Sequence, residues 1–136
     1  MEGIPTDVLR VLIVEDCPDT ATTLKRLVRV WGHAADVARD GAEALGRAAE
    51  FRPDVILLDI GLPDMNGWEV AKRLRETPNA DHALIIAVTG YGLEDDRRHS
   101  EDAGCHLHLT KPVEPGLLQG LLDHLRTRIK SCLPSN

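Results

Sequence analysis

Three short aliphatic runs set the limits on what this chain can fold into. They are VLRVLIV at 8–14, DVILLD at 54–59 and ALIIAV at 83–88. Their apolar residues stand at consecutive positions rather than alternate ones. A strand wetted on one face alternates, whereas a strand covered on both faces, as in a parallel sheet, does not. Between the runs the apolar residues switch to helical spacing. Leu24, Leu27, Val28 and Trp31 precede a stop at Gly32, and Ala42, Leu45, Ala49 and Phe51 follow Asp40 and Gly41. Val70, Ala71 and Leu74 mark a helix over 66–76. Weaker strands are predicted at 33–38 and 105–110, and a polar helix at 93–103, which has the least apolar surface to pack. A last helix over 115–129 carries Leu117, Leu118, Leu121, Leu122, Leu125 and Ile129. Five strand–helix units in series predict an α/β protein. It should be a (βα)5 doubly wound, five-stranded parallel sheet, because right-handed crossovers put helices on both faces.

Composition narrows the class of function. The 136 residues suit one domain, expected over 8–130 with an N-terminal extension at 1–7 and a tail at 131–136 too short for an output module. With 16 basic against 22 acidic residues the net charge is −6, which argues against phosphate-backbone binding and so against a nucleic-acid partner. Only four aromatics are present, too few for a base-stacking platform. No apolar run approaches the ~20 residues that cross a bilayer, and the first residues lack the pattern of a secretory signal. Cys17, Cys105 and Cys132 show neither disulfide nor zinc spacing. A reduced, cytoplasmic protein with no membrane partner is expected.

The chemistry gathers at the carboxyl ends of the predicted strands. The first ends in Glu15 and Asp16, the third in Asp59, the fourth in Thr89 and the fifth in Thr110-Lys111-Pro112. Open α/β sheets bind ligands outside those ends, where the chain reverses direction. If the order is 2-1-3-4-5, three carboxylates share one crevice. Their mutual repulsion calls for compensation. An oxygen-only donor set selects magnesium, manganese or calcium. Metal, lysine and hydroxyl together describe a phosphoryl site, with Asp59 able to act as nucleophile. Singly, each residue reads as a cap, a turn or a surface side chain. Their coincidence at one end of the sheet is what points to function.

LIVED at 12–16, LLDIGLPDMNGWEV at 57–70, AVTGYG at 87–92 and LTKP at 109–112 resemble the receiver domain of two-component response regulators. The resemblance is to chemotaxis-regulator-like receivers, nearest in pattern to those of hybrid histidine kinases. It runs from about Leu9 to Ile129 and implies the flavodoxin-like fold with order 2-1-3-4-5. It also implies that Asp59 is the phosphoacceptor and that Mg2+ is bound by Asp16, Asp59 and the Gly61 carbonyl, with Glu15 acting through water. Thr89 and Lys111 would hold the phosphoryl oxygens, and the Lys111–Pro112 bond would be cis. The implied partners are a histidine kinase or a histidine phosphotransfer protein and a downstream protein target. The signal would pass through the face of the 93–103 helix, the fifth strand and the last helix. The expected state is a monomer or weak homodimer, catalysing only its own phosphorylation and dephosphorylation.

Two positions depart from the pattern. The acidic pair is Glu-Asp where Asp-Asp is commoner. His108 stands where receivers often carry Tyr or Phe, so it is either a switch group or a half-exposed edge-strand histidine. Gly61 and Tyr91, two residues beyond Asp59 and Thr89, supply no group to aid water, so slow loss of the phosphoryl group is expected, with Tyr91 either part of a shield or a solvent-facing residue that serves partner binding. Two other functions compete with this reading. A phosphatase of the haloacid-dehalogenase type needs a second carboxylate at the position of Gly61. A degenerate receiver, acting as a phosphorylation-independent interaction module, is at odds with the intact Glu15, Asp16, Asp59, Thr89 and Lys111.

Overall fold

The computed structural model describes residues 8–62, 64, 66–90 and 105–131. Its elements follow in the order β1 (Arg10–Val14), α1 (Pro18–Val30), β2 (Ala34–Ala38), α2 (Gly41–Phe51), β3 (Val55–Asp59), α3 (Gly67–Arg75), β4 (Leu84–Thr89), β5 (Leu107–Thr110) and α4 (Pro115–Ser131). All neighbouring strands are parallel, in the order β2-β1-β3-β4-β5. The predicted fold class and strand order are therefore those observed. The helix expected at 93–103 lies outside the described residues.

The consecutive aliphatics fill two cores at once. Leu12, Val14, Ile56, Leu58, Ile85 and Ala87 pack on one face against Ala44, Ala48, Val70, Ala71 and Leu74 of α2 and α3. Val11, Ile13, Val55, Leu57 and Ile86 pack on the other against Leu24 and Val28 of α1 and Leu118, Leu122 and Leu125 of α4. Side chains alternate between the faces of a strand, so a strand covered on both sides needs every position apolar.

Two residues at helical spacing do not face the core. Ala42 is exposed, and the buried positions of α2 are Gly41, Ala44 and Ala48. Alanines stand at 42, 44, 48 and 49, so the helical phase there is ambiguous in the sequence. Leu117 is 57% exposed. The stripe Leu118, Leu122 and Leu125 faces the sheet, and a residue one step earlier points about 100° away.

Local chemistry fixes the helix starts. Asp40 accepts from the Glu43 amide at 2.8 Å, and Asn66 from the Trp68 amide at 2.8 Å. Glu114 accepts from the amides of Gly116 and Leu117 at 3.1 and 3.0 Å. Such side chains satisfy amides that have no partner in the first helical turn. At Gly67 the backbone of α3 nearly touches the chain leaving β3. A Cβ there would sit 2.5 Å from the Ile60 Cα, so only glycine fits without movement. This contact sets α3 directly beside the end of β3.

Candidate functional site

Strand register delivers the polar ends to one place. Val14 pairs with Leu58, and Asp59 pairs with Val88. Glu15 directly follows β1, and its amide donates to the Ala38 carbonyl at 2.9 Å, so the strand direction persists one residue past the sheet. Thr89 pairs with Thr110, and the Lys111 amide donates to the Thr89 carbonyl at 2.7 Å. The Lys111–Pro112 peptide is cis.

These ends bring Glu15, Asp16 and Asp59 together, with one carboxylate oxygen from each lying within 4.8 Å of the others. Glu15 and Asp59 are each only 4% exposed and Thr89 only 5%, while Asp16 stays open to solvent. Lys111 Nζ lies 2.9 Å from Asp59 Oδ2 and 3.9 Å from Glu15 Oε1. The Gly61 amide donates to Asp59 Oδ1 at 3.0 Å, and the Cys17 amide to Glu15 Oε2 at 3.1 Å. Both oxygens of Asp59 are thus held, one by an ammonium and one by a backbone amide.

The electrostatics are unbalanced. Burial pushes the Glu15 carboxyl up to about 7; the charge of Asp59 adds to this, while the Cys17 amide and Lys111 oppose it. Burial works against the Lys111 ammonium, but the hydrogen bond and charge of Asp59, with Glu15 and Asp16 behind them, outweigh it and hold the lysine above its ordinary value. Three carboxylates against one lysine leave two negative charges when all are ionised. All-oxygen donors and a charge deficit of two fit a hard divalent cation. The exposed side of Asp16 gives it a way in.

Beside this cluster, Thr89 Oγ1 lies 3.0 Å from His108 Nε2. His108 is half-buried on β5, the border strand, and reaches the pocket through this contact. A groove of about 680 Å3 leads outward from Glu15, Asp59 and Lys111, between Thr20 and Leu24 of α1 and Val113 ahead of α4.

The chain from 11 to 123 matches the family model of the response regulator receiver domain. The chain belongs to the response regulator receiver domain family. The receiver is 34% identical over 116 residues to the polar-differentiation response regulator DivK of Brucella anthropi, covering 85% of this chain and 94% of that one. A receiver domain protein (CheY-like) from Methanospirillum hungatei JF-1 superposes with a TM-score of 0.83 at 26% identity, covering 91% of this chain and 98% of the other. The receiver domain of a sensor histidine kinase from Pseudomonas aeruginosa PAO1 gives a TM-score of 0.78 at 31% identity, covering 88% and 98%. That structure has a magnesium ion coordinated in its active-site cleft.

In this receiver, Glu15, Asp16, Asp59, Gly61, Thr89, Lys111, Pro112 and His108 all lie in or beside the one pocket. Tyr91 lies outside the described residues. Asp64 adds a contact that the sequence pattern does not show. Its carboxylate accepts from the Gly41 amide at 2.8 Å and the Ala42 amide at 3.1 Å, so the loop after Asp59 is tied to the start of α2. In sequence, Asp64 sits in LPDMNG and reads only as a turn residue. No signal there shows which helix it reaches. Among the described residues, no helix is long and apolar enough to cross a membrane.

Proposed function

We propose that Asp59 accepts a phosphoryl group from a phosphohistidine on a histidine kinase or histidine phosphotransfer protein. One observation carries this reading: a buried carboxylate is held on one oxygen by Lys111 Nζ at 2.9 Å and on the other by the Gly61 amide at 3.0 Å. A carboxylate held in this way is a competent nucleophile. Its oxygen forms the new O–P bond as the N–P bond of the donor breaks, and the leaving imidazole keeps the electron pair and takes a proton from solvent.

Asp16, Asp59 and the Gly61 carbonyl would hold a magnesium ion, with Glu15 reaching it through water. When bound, magnesium neutralises the carboxylates and the incoming phosphoryl oxygens. Lys111 stands where it can turn from Asp59 Oδ2 to a phosphoryl oxygen, and the Thr89 hydroxyl can donate to another. The groove beside α1 leaves room for the donor's side chain. The protein acts on its own Asp59 rather than on a separate substrate, so it is a signalling module and not an enzyme. Its output is a contact with a further protein through β5 and α4. The cytoplasm follows as its place of work, because the donor kinase presents its phosphohistidine there.

The test is intact mass after incubation with magnesium and acetyl phosphate. One phosphoryl group should be added to the parent and none to Asp59→Asn, with circular dichroism of the variant unchanged. Equal labelling of both would show that Asp59 is not the acceptor. No labelling of the parent would favour an interaction module that works without phosphorylation.

A further inference from the structure

The Thr89 hydroxyl has one proton and two lone pairs. Its position is fixed from two sides: the residue is buried, and its carbonyl accepts from the Lys111 amide at 2.7 Å. A β-branched side chain so placed has little freedom at χ1. His108 Nε2 lies 3.0 Å from Oγ1. Either atom can be the donor before phosphorylation, since a neutral imidazole carries its proton on one nitrogen or the other.

This inference rests on the function proposed above. Phosphoryl oxygens only accept hydrogen bonds. Once one lies against Thr89, the single hydroxyl proton must point to it. The hydroxyl oxygen then faces His108 with lone pairs only. If His108 Nε2 were also bare, two acceptors would oppose each other at 3.0 Å in a buried site, and that arrangement is costly.

We propose that His108 is a positioning residue for phosphorylation: in the phosphorylated protein its Nε2–H donates to Thr89 Oγ1 and commits the threonine proton to the phosphoryl group. Phosphorylation thereby selects one protonation form of a ring on β5. In the neutral ring, a proton that began on Nδ1 passes to solvent as Nε2 takes one up, with no net change. The ring's other nitrogen becomes an acceptor. The state of the pocket is passed to the edge strand by moving a proton, without requiring a side chain to rotate. A phenylalanine at 108 has no atom that could do this. Glutamine does, because its terminal amide can place an N–H near the position of Nε2.

The full chain is compared with His108→Gln and His108→Phe. With magnesium and acetyl phosphate, the initial rate of mass gain should fall about two- to threefold in His108→Phe, because the bond exists before phosphorylation and only its strengthening as the hydroxyl donates to a phosphoryl oxygen is lost, and should be largely restored in His108→Gln. A role in packing alone predicts the reverse order, because phenylalanine fills a ring-shaped space better than glutamine. Nitrogen-15 spectra of the imidazoles are then recorded with magnesium and beryllium fluoride as phosphoryl stand-in, the His108 signals being those missing from His108→Gln. A protonated Nε2 supports the proposal. A bare Nε2, or phenylalanine labelling as fast as the parent, overturns it while leaving Asp59 as acceptor. Absence of any mass gain in the parent removes the underlying function, and this inference with it.

Discussion

The two ends of the sheet use the same kinds of residue for opposite purposes. At the amino end, the Arg10 amide donates to Asp54 Oδ2 at 2.9 Å, the Arg10 side chain donates to the Phe51 carbonyl at 2.8 Å, and its guanidinium lies 4.3 Å from the Phe51 ring centre. His106 accepts the Ile85 amide on Nδ1 at 3.1 Å. Each group there closes a sheet edge and faces a partner of complementary character. At the carboxyl end, three carboxylates converge on one ammonium. An acidic residue at a strand end therefore does not by itself mark function. What marks it is a set of like charges drawn together, two of the three buried, that the fold leaves short of cations. Such a set costs stability and is expected where a ligand offsets the cost.

The largest expected effect breaks the frame of the charged end without touching a charge. Gly67→Ala places a methyl 2.5 Å from the Ile60 Cα, in contact with backbone. Overpacking of this kind should cost about 2–4 kcal/mol, read by denaturant unfolding. It should also displace the chain leaving Asp59, so phosphorylation should slow even where the protein remains folded.

Next is Lys111→Met, which removes the positive charge facing the carboxylates. With the lysine side chain 39% exposed, solvent screening limits the loss to about 1–2 kcal/mol without metal. Magnesium should recover part of it, visible as a larger metal-induced rise in Tm than in the parent. Metal-free stability equal to the parent would show that the carboxylates do not lean on Lys111.

A direct contrast of the two ends comes from Asp54→Ala and Asp16→Ala. Asp54 holds the Arg10 amide, and its loss should destabilise by about 1 kcal/mol with magnesium affinity unchanged. Asp16→Ala relieves repulsion, so metal-free Tm should hold or rise while magnesium affinity falls. If both variants lowered Tm and neither changed magnesium binding, the two ends would be alike and the contrast would fail.

The smallest effect is one of pH. The Glu15 carboxyl lies at about 7 in the folded protein, against 4.5 for the unperturbed group. The folded state therefore holds the proton more tightly than the unfolded chain. This contribution to stability is complete below pH 4.5 and is lost as pH rises through 7. Magnesium needs the ionised carboxylate, so its apparent affinity should weaken as pH falls below 7. In Glu15→Gln both trends should flatten, measured as Tm without metal and as magnesium titrations at pH 6 and 8.

Much of this was legible in the sequence, for physical reasons that differ by element. β3 could be read because a doubly covered strand must be apolar throughout, and the carboxylates could be read because strands of similar length end at a common level. Parallel pairing then makes neighbours of Glu15 and Asp59, which are far apart in the chain. The phase of α2 was not legible, since alanine fits either face. Nor was the reach of Asp64, because a loop carboxylate finds its amides through tertiary placement that no local pattern encodes. His108 stood between two readings because hydrogen bonds of an edge strand's side chains depend on the neighbouring strand's register. The pairing of Ala87 with His108 and of Thr89 with Thr110 settles that register.

The tie from Asp64 to the start of α2 has a mechanical consequence. The loop behind Asp59 is fastened to α2 through two amides, and the chain on its other flank is pressed against Gly67 with no spare volume. That wall of the pocket is an anvil. To take up a group added to Asp59 on this side, the two Asp64 hydrogen bonds would have to break or the Gly67 contact compress further. The opposite wall is built from Thr89 at the end of β4 and Lys111 just past β5, the border strand, whose strand pairing is with β4 alone. If Asp59 is phosphorylated as proposed, the added load should travel away from α2 and outward across β4 to the border of the sheet, because the fastening lies on the α2 side.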